Sequence, residues 1–232
     1  MMLDSLSLEN KVVVITGGGT GLGLAMVRAL ARAGADLVIA GRRKAPIDAA
    51  ANEVINMGRN ALAISTDVSD SRQVDGLITK TLDHFGQIDV LINNAALVST
   101  NVPKPIWDIS DQEWQGAMDV NLNGAFFCSR AAAKPMADRG KGKIINVASV
   151  SGKIGLAYRS AYAASKHAVL GLTRALSAEV APTGITANCI CPTFVSTEMF
   201  DESIQKWADE TGKSFEEQRE ELRNRVPMKR FI

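Results

Sequence analysis

The chain has 232 residues, with 26 basic and 25 acidic side chains and a formal net charge of +1. This near-neutral balance excludes the strongly basic character that is typical of nucleic-acid binding proteins. No stretch approaches the ~20 consecutive apolar residues that a membrane-spanning helix needs. The length suffices for one substantial core, so we expect a single domain over residues 1–232. Because no apolar span and no signal-peptide pattern is found, we expect the protein to be located in the cytoplasm.

The cysteines and histidines do not have the spacing of a metal site. Cys128, Cys189 and Cys191 form no C-x-x-C pair, and His84 and His167 lie far from them in sequence. We therefore expect no bound metal and no disulfide framework, and we expect the cysteines to be small buried apolar residues.

The first strong structural signal is a β-branched run at 11–16, followed by a glycine-rich turn at 17–23 and a helical pattern at 24–32. Strand, glycine turn and helix in this order are typical of a nucleotide-binding βα unit. Strands are then predicted at 36–40, 61–65, 90–92, 143–147 and 185–190, and helices at 46–57, 69–85, 110 to about 136, and 161–180. This alternation predicts an α/β fold with a parallel sheet covered on both faces.

The segment at 200–225 differs from the rest because it is charge-rich, with widely spaced apolar residues such as Ile204, Trp207 and Leu222. The spacing predicts one or two amphipathic helices. We interpret the segment as a lid over the substrate, with Trp207 as one wall. The alternative is a solvated pair of surface helices.

The glycine-rich turn has the chemistry of a phosphate site, since missing side chains let backbone N–H groups approach an anion at a helix N-terminus. Gly17, Gly21 and Gly23 give the spacing G-x-x-x-G-x-G, and the Gly-Lys-Ser/Thr of a Walker loop is absent. The turn therefore favours a dinucleotide over a nucleoside triphosphate. We include Gly19, Thr20 and Leu22 in the predicted cofactor-binding set.

In such folds a residue at the end of the second strand contacts the adenosine ribose. An acidic residue there binds the 2′-hydroxyl of NAD(H), whereas an arginine binds the 2′-phosphate of NADP(H). Gly41 is followed here by Arg42 and Arg43, and Asp36 comes too early in the strand. Arg42 therefore favours NADP(H) over NAD(H). The alternative is that these arginines are only an exposed pair.

The candidate catalytic residues are Ser149, Tyr162 and Lys166. Tyr162 and Lys166 are four apart on a predicted helix, so they share a face, and a nearby ammonium lowers the cost of a phenolate. Tyr158 has no such lysine. Ser149 follows the strand at 143–147, at the sheet edge where α/β proteins bind ligands, although a serine there could also be only a helix N-cap.

Together these residues resemble the classical short-chain dehydrogenase/reductase family over nearly the whole chain. The matching motifs, in order, are Thr16-Gly17-x-x-x-Gly21-x-Gly23, Asp67-Val68, Asn93-Asn94-Ala95, Asn121, Ser149, Tyr162-x-x-x-Lys166, and Pro192 followed by Thr197. Three positions depart from the family pattern: Ala96 and Thr193 replace usual glycines, and Thr20 lacks the basic side chain of many NADP-preferring members.

The resemblance implies a Rossmann-like, doubly wound sheet and hydride transfer between a nicotinamide cofactor and a small-molecule secondary alcohol or ketone. It implies Tyr162 as general acid/base, Ser149 as the residue that orients the substrate oxygen, Lys166 on the nicotinamide ribose, and Asn121 positioning a water in a proton relay. The remaining implied cofactor contacts are Asp67 and Val68 at the adenine, Asn94 and Ala95 at the cofactor floor, and Val195 and Thr197.

The resemblance also implies a homo-oligomer, a tetramer or a dimer, and the near-neutral charge and the lack of a long apolar run predict no nucleic-acid or membrane partner. Family members generally continue with another helix and a seventh strand, so we expect this chain to lack the usual last strand. Two rival functions are an extended-type nucleotide-sugar epimerase, whose turn would read T-G-x-x-G-x-x-G, and a catalytically impaired nucleotide-binding protein of this family. The intact set of Asn121, Ser149, Tyr162 and Lys166 argues against the second.

Overall fold

The computed structural model describes residues 7–98 and 103–231, and its strands form one parallel sheet. The strands are β1 Val12–Thr16, β2 Asp36–Gly41, β3 Ala61–Ser65, β4 Val90–Asn93, β5 Gly142–Val147 and β6 Ile185–Ile190. Their order is β3-β2-β1-β4-β5-β6, with every neighbouring pair parallel. The predicted Rossmann-like, doubly wound α/β fold is confirmed. Within the described residues no strand follows β6.

Helices connect these strands, and further helices follow the last of them. They are α1 Gly21–Arg32, α2 Lys44–Asn56, α3 Ser71–Phe85, α4 Asp111–Ala117, α5 Gly124–Asp138, α6 Ser160–Val180, α7 Glu198–Thr211 and α8 Phe215–Arg225. Within the described part of the chain, none of them is both long and apolar enough to cross a membrane.

Two apolar layers hold the sheet, because side chains alternate between its faces. In β1, Val12 and Val14 pack with residues of α3 and α5, whereas Val13 and Ile15 pack with residues of α1 and α2. The order of the strands reverses between β1 and β4, so the loops after these two strands border the crevice where such sheets bind ligands.

The predicted helix from 110 to about 136 is confirmed as one continuous helical stretch, with a π-helical turn in its middle that the sequence did not indicate. Its start is confirmed, because Ser110 and Glu113 form a capping box. A π-helical turn over Met118–Asn123 then separates α4 from α5. A turn of this kind holds one extra residue, which hydrophobic spacing does not reveal.

The charge-rich C-terminal segment forms two helices, as predicted. Thr197 caps α7 and Ser214 forms a second capping box at α8. Ile204 and Leu222, one from each helix, are buried.

Candidate active site

The glycine turn joins β1 to α1 and admits no side chain at its key positions. Gly17 and Gly21 have positive φ angles of 66° and 53°, which favour glycine. A Cβ on Gly23 would overlap the carbonyl oxygen of Gly17. Leu22 packs on the apolar layer beneath the helix. The turn therefore presents bare backbone at the N-terminus of α1, which fits a pyrophosphate.

A brace from the neighbouring strand fixes this turn. The Asn94 side chain donates to the carbonyl oxygens of Thr16 and Gly17, both at 3.1 Å. The Thr16 hydroxyl accepts from the backbone N–H groups of Asn94 and Ala95, at 3.0 and 3.1 Å. Sequence reasoning placed Asn94 and Ala95 at the cofactor floor but missed the brace. A polar residue ending the buried strand β1 is the signal that points to it.

A cleft of about 330 Å³ lies beside the turn, at the end of β2. Its lining is Gly17, Gly19, Thr20, Gly41, Arg42, Arg43, Pro46 and Ile47. The guanidinium of Arg42 is exposed and pairs with no carboxylate among residues 7–98 and 103–231. Asp36 lies at the opposite end of β2, where Arg59 and the N–H of Asn60 bind its carboxylate. The cleft therefore fits the adenosine ribose of a dinucleotide, because Arg42 is one of its lining residues and none of those lining residues is acidic.

The Asp67-Val68 pair follows β3, next in line along the sheet. The Asp67 carboxylate accepts from the Ser69 N–H and hydroxyl, at 3.0 and 2.7 Å. Val68 is buried, and its Cγ2 would lie 2.7 Å from a Cβ on Gly124. Within the chain the carboxylate therefore shapes its own loop, while Val68 packs against the start of α5.

The loop after β6 lies over the glycine turn. The Thr197 Cγ2 would be 3.3 Å from a Cβ on Gly21, and the Thr197 hydroxyl accepts from the Phe200 N–H at 3.2 Å. Val195, two residues earlier, is half-buried. This loop brings Thr197 to the phosphate-binding end of the site.

Asn121 lies in the π turn and is committed to holding the loop after β4. Its side chain accepts from the Leu97 N–H at 2.7 Å and donates to the Leu97 carbonyl at 2.9 Å. It also donates to the Ser165 hydroxyl at 2.9 Å, which in turn donates to the Tyr162 carbonyl at 2.8 Å. Sequence reasoning missed Ser165, which links Asn121 to the helix of the candidate acid/base.

Ser149 and Tyr162 meet at the carboxyl end of β5. The Ser149 side chain lies close enough to the Tyr162 phenol to act on its pKa, and its hydroxyl accepts from the Ser151 N–H, which caps the short turn Val150–Gly152. Burial raises the pKa of Tyr162, while the Ser149 side chain and the positive charge of Arg159 act in the opposite direction. Ser149 is thus an N-cap, and its role toward a substrate stays a prediction.

Lys166 lies on the same side of α6 as Tyr162, and its ammonium is 5.7 Å from the centroid of the phenol ring. It is 2% exposed and donates to the Val147 carbonyl at 2.8 Å, at the end of β5. Burial lowers the pKa of Lys166 to about 8, opposed by the nearby thiols of Cys189 and Cys191. The prediction that these residues share a helix face is confirmed. Arg159, which acts on the phenol charge, was missed in the sequence because it belongs to no motif.

These contacts define a class of protein: a dinucleotide-binding α/β domain with a Ser-Tyr-Lys cluster at the end of its sheet. The family model for short chain dehydrogenase matches residues 11–208. The chain therefore belongs to the short-chain dehydrogenase/reductase family of nicotinamide-dependent oxidoreductases.

Relatives and solved structures agree with this assignment. A 3-oxoacyl-(acyl-carrier-protein) reductase of Synechocystis is 36% identical, over 83% of this chain and 77% of the relative. A D-beta-hydroxybutyrate dehydrogenase of Rhizobium meliloti is 35% identical, over 96% of this chain and 86% of the relative.

Two similar structures differ in their cofactors. Actinorhodin polyketide ketoreductase with NADPH has a TM-score of 0.90 and 32% identity, over 96% of this chain and 85% of the other. An NAD+-bound xylitol dehydrogenase has a TM-score of 0.91 and 26% identity, over 97% and 87%.

Proposed function

We propose that this protein is an NADP(H)-preferring oxidoreductase that interconverts a ketone and a secondary alcohol, with Tyr162 as general acid/base. The observation that carries the proposal is the approach of the Ser149 side chain to the Tyr162 phenol at the carboxyl end of β5, which opposes the rise in the pKa of the phenol. Two hydroxyl groups converge there, at the sheet edge that also carries the glycine turn. A substrate oxygen between them would accept a hydrogen bond from each.

The protonation state of Tyr162 suits the reduction of a ketone. Because burial raises its pKa, the phenol holds its proton at neutral pH and has it available for the oxygen of a carbonyl as that oxygen becomes an alkoxide. In this proposal Ser149 orients the same oxygen, and Lys166 binds the nicotinamide ribose. When bound, the nicotinamide supplies or accepts the hydride. In the reverse direction Tyr162 takes the hydroxyl proton.

The test replaces each of the two tyrosines of the chain. We expect Tyr162→Phe to lower kcat by about a thousandfold, the range that proton transfer supplies, with the cofactor Kd changed by less than about threefold. Tyr158→Phe is the matched control, because Tyr158 is 60% exposed, and it should keep its turnover. A Tyr162→Phe enzyme retaining more than about a tenth of wild-type kcat contradicts the role.

The preference for NADP(H) is supported by Arg42 at the mouth of the ribose cleft, with no acid beside it in the described residues. We expect NADPH to bind about tenfold or more tightly than NADH, and Arg42→Ala to remove most of the difference. Arg72→Ala, at an arginine that is exposed on α3, is the control. Equal affinities in the wild type overturn the preference.

We further propose that the protein works as a cytoplasmic homo-oligomer, a tetramer or a dimer. The exposed Phe126 on α5 supports this, because an exposed aromatic ring beside Phe127 and Arg130 is the kind of side chain that subunit interfaces bury. Light scattering on the purified protein measures the number of subunits, and a monomer at micromolar concentration rejects the proposal.

A further inference from the structure

A chain of hydrogen-bonded polar side chains lies in the core between the sheet and the helix of the candidate acid/base. Asn93 at the end of β4, Asn146 in β5 and Thr173 in α6 are 6%, 0% and 5% exposed. The Asn93 amide donates to the side-chain oxygen of Asn146, and the Asn146 amide donates to the Thr173 hydroxyl, both at 2.8 Å. The Asn93 amide also donates to the Ser129 hydroxyl of α5 at 3.0 Å. These hydrogen bonds therefore join two strands to two helices.

The direction of each hydrogen bond in this chain is fixed by its last member. The Thr173 hydroxyl donates to the Val169 carbonyl at 2.7 Å, and a carbonyl oxygen can only accept. Because its one hydrogen is used, Thr173 accepts from the Asn146 amide, and the Asn146 oxygen is left to accept from Asn93. Turning the Asn146 amide over would set donor against donor and acceptor against acceptor in a buried place, which is costly. The chain therefore permits one arrangement of β4, β5 and α6.

Thr173 lies on the stripe of α6 that carries Tyr162 and Lys166. These residues are spaced by four and seven positions, so their side chains point to one side of the helix. The Lys166 ammonium donates to the Val147 carbonyl at 2.8 Å, and Thr173 accepts from Asn146, the preceding residue of β5. The two attachment points are about 10 Å apart along the helix, at ~1.5 Å per residue. Together they set both the height and the tilt of α6 on β5.

Stability alone does not explain a polar chain in this place. A buried hydrogen bond replaces bonds to water, so apolar side chains of the same shape would stabilise the fold about as well. The Asn93 side-chain oxygen also lacks a hydrogen-bond partner among residues 7–98 and 103–231, which lowers the stability that the chain contributes. Apolar packing, however, has no preferred direction and lets a helix slide along a strand. The polar chain therefore contributes a fixed position rather than stability.

We propose that Asn146 and Thr173 are positioning residues, which hold α6 at the height where the Tyr162 phenol meets the substrate oxygen beside Ser149. The proposal rests on the proposed function, in that Tyr162 is the group that exchanges the proton. Thr173 follows Tyr162 by eleven positions, which is ~16 Å along the helix, so it acts through the helix and not on the substrate. A displacement of about 1 Å in a reacting group can lower a rate about a hundredfold, so a small slide of α6 suffices.

The first test removes both members of the Asn146–Thr173 hydrogen bond at once. In the double variant Asn146→Leu/Thr173→Val no new buried group loses its partner, because the Asn93 amide still donates to Ser129 and to the Ala125 carbonyl. We expect a melting temperature within about 2 °C of the wild type. We expect kcat to fall about tenfold, since α6 is free to slide, while KM and the cofactor Kd change by less than about threefold. Normal kcat in the folded double variant overturns the proposal, because a merely structural role makes kcat follow stability.

Single variants provide the controls. Thr173→Ser keeps the hydroxyl and should keep the wild-type kcat. Thr173→Val leaves the Asn146 amide without its acceptor, so it should lower kcat and also lower the melting temperature by about 5 °C. Thr81→Val is the matched control, because the buried Thr81 of α3 also donates to the carbonyl four residues before it, and its kcat should stay unchanged. If the double variant does not fold, Thr173→Val and Thr173→Ser take its place, and equal kcat values in both overturn the proposal.

The second test needs no catalysis. With tyrosine labelled at ¹³Cζ, the protein gives two NMR signals, and Tyr158→Phe identifies the signal of Tyr162. Ser149→Ala should shift this signal in the wild type, because Ser149 acts on the phenol. In the double variant Asn146→Leu/Thr173→Val the same change should shift it by no more than about half as much, since the two groups have moved apart. Equal shifts in both backgrounds overturn the proposal.

The two tests separate this inference from the proposed function. Normal kcat in the double variant, together with an inactive Tyr162→Phe, rejects the positioning role and leaves the acid/base role intact. A reduced NMR shift together with an active Tyr162→Phe rejects the acid/base role and with it the catalytic part of this proposal, although Asn146 and Thr173 would still position α6.

Discussion

The glycine-turn region, residues 12–41 with 90–98, and the C-terminal segment, residues 191–231, are held by different kinds of contact. In the first, backbone meets backbone so closely that a single Cβ on Gly23 would overlap the Gly17 carbonyl. In the second, side chains dominate. The rings of Phe194, Phe200 and Phe231 pack together with centroids 5.1–6.0 Å apart.

Arginine side chains also hold the C-terminal segment together, through contacts with aromatic rings and with a serine. Arg219 stacks on Phe231 at 5.5 Å and donates to Ser196 at 3.3 Å, and Arg225 stacks on Trp207 at 5.7 Å between α8 and α7. Backbone packing allows few alternatives, whereas side-chain contacts change with single substitutions. Backbone packing therefore fixes the glycine turn, whereas single substitutions can alter the contacts that hold the C-terminal segment.

The largest effect is expected at Gly23. In Gly23→Ala the new Cβ forces the turn apart, which should cost about 3 kcal/mol or more and abolish measurable cofactor binding. Gly171→Ala is the control, because a Cβ at this α6 glycine meets nothing within 4 Å, and it should raise stability by about 1 kcal/mol. Calorimetry and cofactor titration measure both. A Gly23→Ala protein with normal affinity would contradict the view that backbone contacts fix the cofactor end.

The pH dependence of the free energy of unfolding tests whether the burial of the Lys166 ammonium destabilises the folded protein. Its folded pKa of about 8 lies below the ordinary 10.5, so between these values the unfolded chain holds a proton that the folded chain has lost, and stability rises with pH. The free energy of unfolding of the wild type relative to Lys166→Met should therefore increase by about 3 kcal/mol from pH 8 to pH 10.5, and stay constant below pH 8.

Chemical denaturation at a series of pH values measures this difference. Lys143→Met, at an exposed lysine of β5, should show no such dependence. A flat difference for Lys166→Met would mean that the ammonium is not penalised by its burial.

Trp207 tests whether the C-terminal segment shapes the substrate pocket. We propose that the segment at 200–225 covers the substrate, so Trp207→Ala, which removes the ring that joins α7 to α8, should change the substrate KM by about tenfold and the cofactor Kd by less than about twofold. The 81% exposed Trp107 provides a control substitution to alanine. Steady-state kinetics with several ketones decide the point, and unchanged KM values for all of them would remove Trp207 from the pocket.

The smallest effect is expected at the two capping boxes. Ser110→Ala and Ser214→Ala each remove an N-cap and should each cost about 1 kcal/mol. Ser110 caps the helix that leads into the π turn of Asn121, so its loss should lower the melting temperature of the whole domain. The loss of Ser214 should be confined to faster amide exchange in α8. Equal global destabilisation by both changes would show that the two regions unfold as one unit.

The elements that the sequence predicts well are those with local signals. The β-branched runs, the glycine turn and the capping box at Ser110 each depend on neighbouring residues, and their bounds agree with the structure within a few residues. The Tyr162 and Lys166 pair was also predictable, because four positions on a helix always bring two side chains to one face.

The contacts that the sequence could not predict join distant parts of the chain. The amide of Asn94 could bind a cofactor or a backbone carbonyl, and only the fold shows that it reaches Thr16 and Gly17. The direction of the Lys166 ammonium toward Val147 likewise depends on how β5 meets α6.

The π turn at Met118–Asn123 also limits where this protein tolerates insertions and deletions. Each residue of an α-helix adds a rotation of about 100°, so one extra residue rotates everything that follows it by that angle. Deleting one residue here would turn α5 away from the sheet or Asn121 away from Leu97, but could not preserve both. The side chains before and after the π turn therefore differ by one residue in their rotation about the helix axis, and Asn121 lies where the rotation changes.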